Sequence, residues 1–271
     1  MLKKIFILFL FLLFTVLYAN AKDISFIQVT DVYYTQNNNE IENSLKKLVE
    51  KINNDEKNIS FVVFTGNNIE SPKPENLADF IKIINKLNCP YYVVLGNSDV
   101  SKSKKMSKED YYKIIKRNNL FYPQKNANYM FKKNGYKFII ANGAKEVIPG
   151  KQGYYRKDTL LWIENILNKN KKEKIVILQH FPLIYPPVSI NKIKSHETYK
   201  KDEYLNLIKK YPFILAIVSG HFHVNWENYS DEIYNISSPS FRDKPHYYKV
   251  IDILSDENDK PEIFTILKEA K

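Results

Sequence analysis

The sequence predicts an α/β fold of two facing mixed β-sheets flanked by helices, and three observations lead there. Apolar, β-rich runs alternate with segments of helical periodicity through most of the chain. Several of those runs stop at a tight cluster of polar residues, as strands do where they open onto a crevice. A β-rich stretch with no helical pattern closes the chain, which suits layered sheets better than a purely alternating fold.

Taken in order, Ile24 to Thr30 reads as a strand ending at Asp31-Val32-Tyr33, and Ile41 to Ile52 as a helix. Phe61 to Thr65 is a second strand, ending at Gly66-Asn67-Asn68, followed by a helix over Asn76 to Leu87. Tyr91 to Leu95 ends at Gly96-Asn97-Ser98-Asp99, with helical spacing next at Lys108 to Lys116. Tyr136 to Ala141 is a strand, Thr159 to Leu167 a helix, and Ile175 to Leu178 a strand ending at Gln179-His180-Phe181-Pro182. After a helix over Glu203 to Lys210, the apolar run through Ile217-Val218-Ser219 ends at Gly220-His221-Phe222-His223. Strands over Asn225 to Tyr229, Ile233 to Ile236, Tyr247 to Leu254 and Glu262 to Leu267 complete the domain.

Only five histidines occur in the chain, and two of them share one strand end. Side chains two apart in an extended segment point the same way, so His221 and His223 are expected to converge on one cation. Imidazole suits zinc, iron, manganese and copper. For an isolated His-x-His a polar surface hairpin is the better explanation, and the weight comes from the other strand ends.

In order and spacing, the five clusters resemble the calcineurin-like metallophosphoesterases. That family's blocks run Asp-x-His, Gly-Asp, Gly-Asn-His-Asp/Glu, His in an apolar-Pro context, and Gly-His-x-His. This chain reads Asp31-Val32-Tyr33, Gly66-Asn67, Gly96-Asn97-Ser98-Asp99, His180-Phe181-Pro182 and Gly220-His221-Phe222-His223. The resemblance spans Asp23 to Ser240 and implies the four-layer α-β-β-α sandwich. It also implies metal ligation at Asp31, Asn67, Asn97, His180, His221 and His223, with Asn97 and Asp99 beside the reacting group. One ion would keep Asp31 and His223, the other Asn97, His180 and His221.

Three positions depart from the pattern: Tyr33 and Ser98 stand where the family has His, and Asn67 where it has the bridging Asp. Two divalent ions about 3.5 to 4 Å apart repel and need anionic ligands between them, which an amide does not supply. Ser98 has no group that titrates near neutral pH, so it cannot replace the catalytic His as a proton donor. The expectation is therefore one transition-metal ion per chain, manganese, iron or zinc. Tyr33 as a phenolate and Glu70 as a carboxylate are the candidate substitute ligands. Two readings stay open: a hydrolase of phosphate esters with this altered site, and a catalytically inactive relative that binds an anionic ligand or a partner.

Lys3 and Lys4, an apolar run from Ile5 to Tyr18 and Ala19-Asn20-Ala21 form a signal-peptide pattern, so residues 1–21 are expected to be removed and 22–271 exported to the periplasm or outside, without a stable membrane span. Removal takes two lysines and no acids from a formal charge of +11, leaving +9, which favours anionic ligands. The basic stretches, Lys102 to Lys108 and Lys171-Lys172, lack regular aromatic interleaving and read as solvated loops rather than a nucleic-acid groove. A single Cys89 excludes an intrachain disulfide.

Overall fold

The structure, a computed structural model, describes residues 22–124, 126–171, 173–255 and 261–270. The signal-peptide segment expected at residues 1–21 lies outside the described residues. Two sheets form the centre. The first has strand order β13-β12-β1-β2-β3, with β1 (Ile24–Val29), β2 (Ile59–Thr65), β3 (Tyr91–Val94), β12 (Tyr247–Leu254) and β13 (Glu262–Glu269). The second has order β10-β11-β9-β7-β5-β4, with β4 (Tyr129–Lys133), β5 (Tyr136–Ala141), β7 (Lys174–Gln179), β9 (Ile214–Ser219), β10 (Trp226–Ser230) and β11 (Ile233–Ser237).

Both sheets follow one plan. β1, β2 and β3 are mutually parallel with an antiparallel flank at β12 and β13, and β5, β7, β9 and β11 are parallel with antiparallel edges at β4 and β10. Parallel strands align their carboxyl ends, so the polar clusters that follow β1, β2 and β3 are collected at one rim, and those after β7 and β9 at the rim of the other sheet.

Helices cover the sheets because their apolar residues recur on one face. In α1 (Asn39–Asp55) the buried residues are Ile41, Leu45, Leu48, Val49 and Ile52, and the Asn38 side chain caps the free N–H groups of Glu40 and Ile41. Helix α2 (Pro74–Ile84) starts on a proline, and α3 (Lys108–Asn118) on a reciprocal Ser107–Asp110 capping box. Helix α4 (Lys157–Lys169) buries Thr159, Ile163 and Leu167. Two short helices, α5 (Ile190–His196) and α6 (Lys201–Ile208), flank β8 (Thr198–Tyr199) in the chain, and β8 pairs in parallel with β6 (Gly153–Tyr154). Sequence periodicity misses α5, β4, β6 and β8, all too short or too polar to carry a pattern, and it runs α2 past its end at Ile84.

Between the sheets lies an aromatic layer. The Phe61 ring stacks on Phe26 at 4.9 Å within its own sheet and meets Phe138 at 4.9 Å and Phe131 at 5.2 Å edge-on from the other. Two buried polar residues cross the same gap. Gln28 on β1 donates to the Ser219 carbonyl at 2.8 Å and to Thr65 Oγ1 at 2.9 Å, and its Oε1 accepts from Ser238 at 2.6 Å. Lys249 on β12 reaches Glu227 at 2.8 Å and the Ser237 carbonyl at 3.0 Å. These bonds register one sheet against the other, which apolar contacts alone do not.

Replacing Phe61 by Ala is expected to cost about 3 to 5 kcal/mol, since a buried ring with partners in both sheets leaves a cavity that neither can close. Urea denaturation of wild type and Phe61→Ala measures it, and a loss below about 1 kcal/mol would show that the layer collapses around the gap.

Candidate functional site at the strand ends

The clusters after β1, β2 and β9 are built in strained backbone. Asp31 (φ 54°), Tyr33 (φ 50°), Asn67 (φ 52°), His221 (φ 74°) and His223 (φ 58°) all lie in the left-handed region that non-glycine residues avoid. Hydrogen bonds hold them there: Asp31 N–H donates to the Gly66 carbonyl at 3.0 Å, Tyr33 N–H to Asn67 at 2.8 Å, and Gly220 N–H to His180 at 3.0 Å. Glycine is required at two of the turns. A Cβ on Gly66 would stand 2.5 Å from His180 Nδ1, and one on Gly220 would collide with Thr30 Oγ1 and come within 2.8 Å of Asp31 Oδ2.

Asp31 is wholly buried and sits where the two sheets meet. Its Oδ2 accepts from Thr30 Oγ1 at 2.8 Å and from the His221 backbone N–H at 2.9 Å. Its Oδ1 accepts from Asn67 Nδ2 at 2.9 Å and lies 3.3 Å from His223 Nε2 and 3.9 Å from His180 Nε2. Burial by itself would raise this carboxyl, but the His180 and His223 imidazoles and the His221 N–H outweigh it and hold the group far below the usual carboxylate range.

Asn67 decides what the centre of the cluster offers. Its Oδ1 accepts from the Ser98 backbone N–H at 2.9 Å, with Ser98 Oγ also 3.0 Å away, and an N–H fixed in the main chain leaves the amide one orientation. The NH2 group therefore faces inward, 2.9 Å from Asp31 Oδ1, 2.7 Å from Tyr33 Oη and 3.5 Å from Asn97 Oδ1. The family's bridging carboxylate presents an oxygen here; this chain presents two N–H donors, which repel a cation. Tyr33 is pushed to higher pKa first by burial and then by the Asp31 charge, so its phenol stays protonated. Glu70 is exposed.

The histidines part company with the alternation argument. His221 and His223 do not lie in an extended strand: both follow the end of β9 in left-handed turns, and their rings have separate surroundings. His221 is buried, its Nε2–H donating to the His196 carbonyl at 3.0 Å and its ring packed on Phe181 and His180. His223 is partly exposed, between Asp31 and Asp243, with its Nδ1 3.6 Å from Asp243 Oδ2. His180 donates Nδ1–H to the Thr65 carbonyl at 2.7 Å, which leaves the lone pair on Nε2. That nitrogen is buried without a hydrogen-bond partner among the described residues. Burial lowers the pKa of both His180 and His221, keeping them neutral.

Among the described residues, no three His, Cys, Asp or Glu side chains are drawn together as a ready-made cation site. Two ions do not fit, because Asn67 has spent its oxygen on Ser98. One ion asks for less: the orphaned His180 Nε2, Asp31 Oδ1 and His223 Nε2 are donors of the kind zinc, manganese or iron takes, with the Asn97 amide oxygen near, and they would have to draw together to share it.

Asp99 is spoken for. Its wholly buried carboxylate accepts from Gly96 N–H at 2.7 Å, Ile69 N–H at 3.1 Å and Asn68 Nδ2 at 3.3 Å, pinning the loops after β2 and β3 together. Burial raises its pKa to about 7 against those donors. Sequence reasoning missed Arg242, whose guanidinium lies 4.3 Å from the Tyr33 ring centre, since nothing in the chain order links residue 242 to residue 33. A cavity of about 710 Å³ lined by Lys102, Lys108, Tyr112 and Glu146 lies along α3, apart from this cluster.

A family model described as calcineurin-like phosphoesterase matches residues 24–225. The chain is similar to a probable glycerophosphodiester phosphodiesterase of Arcobacter nitrofigilis, 26% identical over 208 residues covering 73% of this chain and 71% of that one. It is also similar to a 3',5'-cyclic-nucleotide phosphodiesterase of Nostoc, 21% identical over 225 residues covering 80% and 78%. Its fold resembles that of a dimetal phosphatase from Danio rerio with a TM-score of 0.64, at 15% identity over 90% of this chain and 98% of that one.

Because the Asp31 pKa is lower folded than unfolded, its ionised form contributes stability that is complete above the unfolded value of about 4 and is lost as pH falls below it. In chelator, Asp31→Asn is expected to be less stable than wild type at pH 7 and to lose less between pH 5 and pH 2. Urea midpoints across that range test this; parallel curves for the two proteins would remove Asp31 as the acid-sensitive group.

Proposed function

The chain belongs to the calcineurin-like phosphoesterase family, and on that premise we propose that it is an exported protein that takes phosphate esters at the strand-end cluster with at most one transition-metal ion. By family and fold it is a phosphoesterase-like hydrolase. The observation that carries the single-ion reading is the unpartnered His180 Nε2, 3.9 Å from an ionised Asp31. Asp31, His180 and His223 would hold the ion, with Asn97 beside them and His221 supporting the site through its N–H bond to Asp31. When bound, such an ion supplies Lewis-acid polarisation of a phosphoryl oxygen. The chain's own residues then fix the orientation. Thr30 and His221 hold Asp31 by its other oxygen, and the Thr65 carbonyl holds the His180 ring by Nδ1.

Export rests on the amino-terminal pattern of Lys3-Lys4, the apolar run and Ala19-Asn20-Ala21. Among the described residues no helix is long and apolar enough to cross a membrane.

A second reading has its own observation. The inward NH2 of Asn67 bonds to Asp31 and Tyr33 where an ion would otherwise stand, and Ser98 offers no proton at the leaving group. On that reading the chain binds phosphate esters, or a partner carrying an anionic group, without turning them over.

After dialysis the protein is expected to retain no more than one transition-metal ion per chain by elemental analysis; two would overturn the argument from Asn67. Restoring Asn67→Asp, Tyr33→His and Ser98→His together should raise the rate on an aryl phosphodiester with manganese by at least about a hundredfold, the scale of a returned general acid. Wild-type turnover abolished by chelator selects the single-ion hydrolase, and turnover absent with every metal selects the binding protein. Equal rates in wild type and triple variant would mean that the cleft departs from the family beyond these positions.

A further inference from the structure

The loop after β11 folds back over the carboxyl end of β1 and is fastened there at four points. Ser238 Oγ donates to Gln28 Oε1 at 2.6 Å, Ser240 Oγ to the Asp31 carbonyl at 2.9 Å, Phe241 N–H to the Thr30 carbonyl at 2.8 Å, and Arg242 N–H to the Asp31 carbonyl at 3.1 Å. The backbone of Arg242 is thereby fixed beside the most buried charge of the cluster. Its guanidinium carbon lies 4.3 Å from the centre of the Tyr33 ring, and the Tyr33 hydroxyl is held by Asn67 at 2.7 Å.

Little else holds the guanidinium. Its Nε is 3.7 Å from Asp243 Oδ1, beyond hydrogen-bond length, and the side chain makes no hydrogen bond to any described residue. At 41% exposure it is neither buried in a structural ion pair nor free in solvent. A guanidinium packed on an aromatic face loses part of its hydration, keeps its plane fixed and leaves its N–H fork open to an acceptor. That fork matches two oxygens of one phosphoryl group.

The charge balance calls for such a group. The cluster has the buried Asp31 carboxylate at its centre and the Asp243 carboxylate at its rim, 3.6 Å from His223 Nδ1, so an oxyanion arriving at the strand ends meets repulsion unless a cation stands nearby. The exchange of the expected His for Tyr33 acts twice: it removes an imidazole donor and builds the platform on which Arg242 lies.

We propose that Arg242, stacked on Tyr33, is the anchor for a phosphoryl oxyanion at the mouth of the strand-end cluster. The ligand class is a phosphate ester, gripped by the guanidinium through its non-bridging oxygens, and the assignment rests on the reading of the cluster as a phosphate-ester site. Arg242 replaces positive charge that a two-ion centre would have provided.

Calorimetric titration of the full chain in chelator with inorganic phosphate, and separately with dimethyl phosphate, tests this. Arg242→Met should weaken binding of both probes by about tenfold or more, the usual size of a charge-assisted contact, and Arg242→Lys should recover part of it. Tyr33→Leu, which removes the ring on which the guanidinium lies, should weaken binding of both probes severalfold. Melting temperature confirms that each variant is folded. If wild type binds both probes and Arg242→Met binds them within twofold, the anchor is elsewhere and the proposal fails while the phosphate-ester reading stands. A loss confined to inorganic phosphate overturns the assignment to an ester. No saturable binding of either probe by wild type in chelator overturns the proposal, and no binding with manganese restored overturns the phosphate-ester reading as well.

Discussion

The buried, ionised carboxylate of Asp31 is the constraint around which the rest of the strand-end region is arranged. A charge with no solvent contact costs several kcal/mol unless its oxygens are satisfied, and water is excluded here by both sheets. The partners come from three directions: Thr30 from the residue after β1, Asn67 from the end of β2, and the His221 N–H and His223 ring from the end of β9. Satisfying one side chain thus requires the carboxyl ends of strands in different sheets to meet. The left-handed turns and the glycines at 66 and 220 are the local concessions that let them do so.

Within that frame, a change of one atom at residue 67 has consequences out of proportion to its size. A carboxylate at this position has a second oxygen to turn inward after the first has accepted from the residue 98 backbone. An amide has only one oxygen, and the Ser98 N–H claims it. What faces the centre is then a pair of donors, and Asp31, Tyr33 and Asn97 are all acceptors suitably placed for them. The substitutions at 33, 67 and 98 form a consistent set: the phenol oxygen accepts from the amide NH2, and the amide oxygen accepts from the serine backbone N–H. Such mutual satisfaction differs from random decay, in which buried polar atoms lose partners one at a time.

The unpartnered Nε2 of His180 runs against that pattern, and it is the observation on which the proposed single cation rests. Its other nitrogen is locked to the Thr65 carbonyl, so the lone pair cannot be turned away. An acceptor held in that way, close to a carboxylate, has no protein donor to meet.

The sequence by itself determined the layered α/β fold, because strand ends and helix faces are periodic features that local composition carries. The polar clusters at the strand ends were visible too, and the family resemblance, rather than periodicity, marked Asp31, Asn67, Asn97, His180, His221 and His223 among them. Tertiary structure decided how those residues face one another. The outward exposure of Glu70, the separate surroundings of His221 and His223, the orientation of the Asn67 amide and the employment of Asp99 by backbone N–H groups all depend on left-handed turns and on hydrogen bonds between loops far apart in the chain. Arg242 is the extreme case: the bonds from its loop to the end of β1 span some two hundred residues, and no local pattern encodes them.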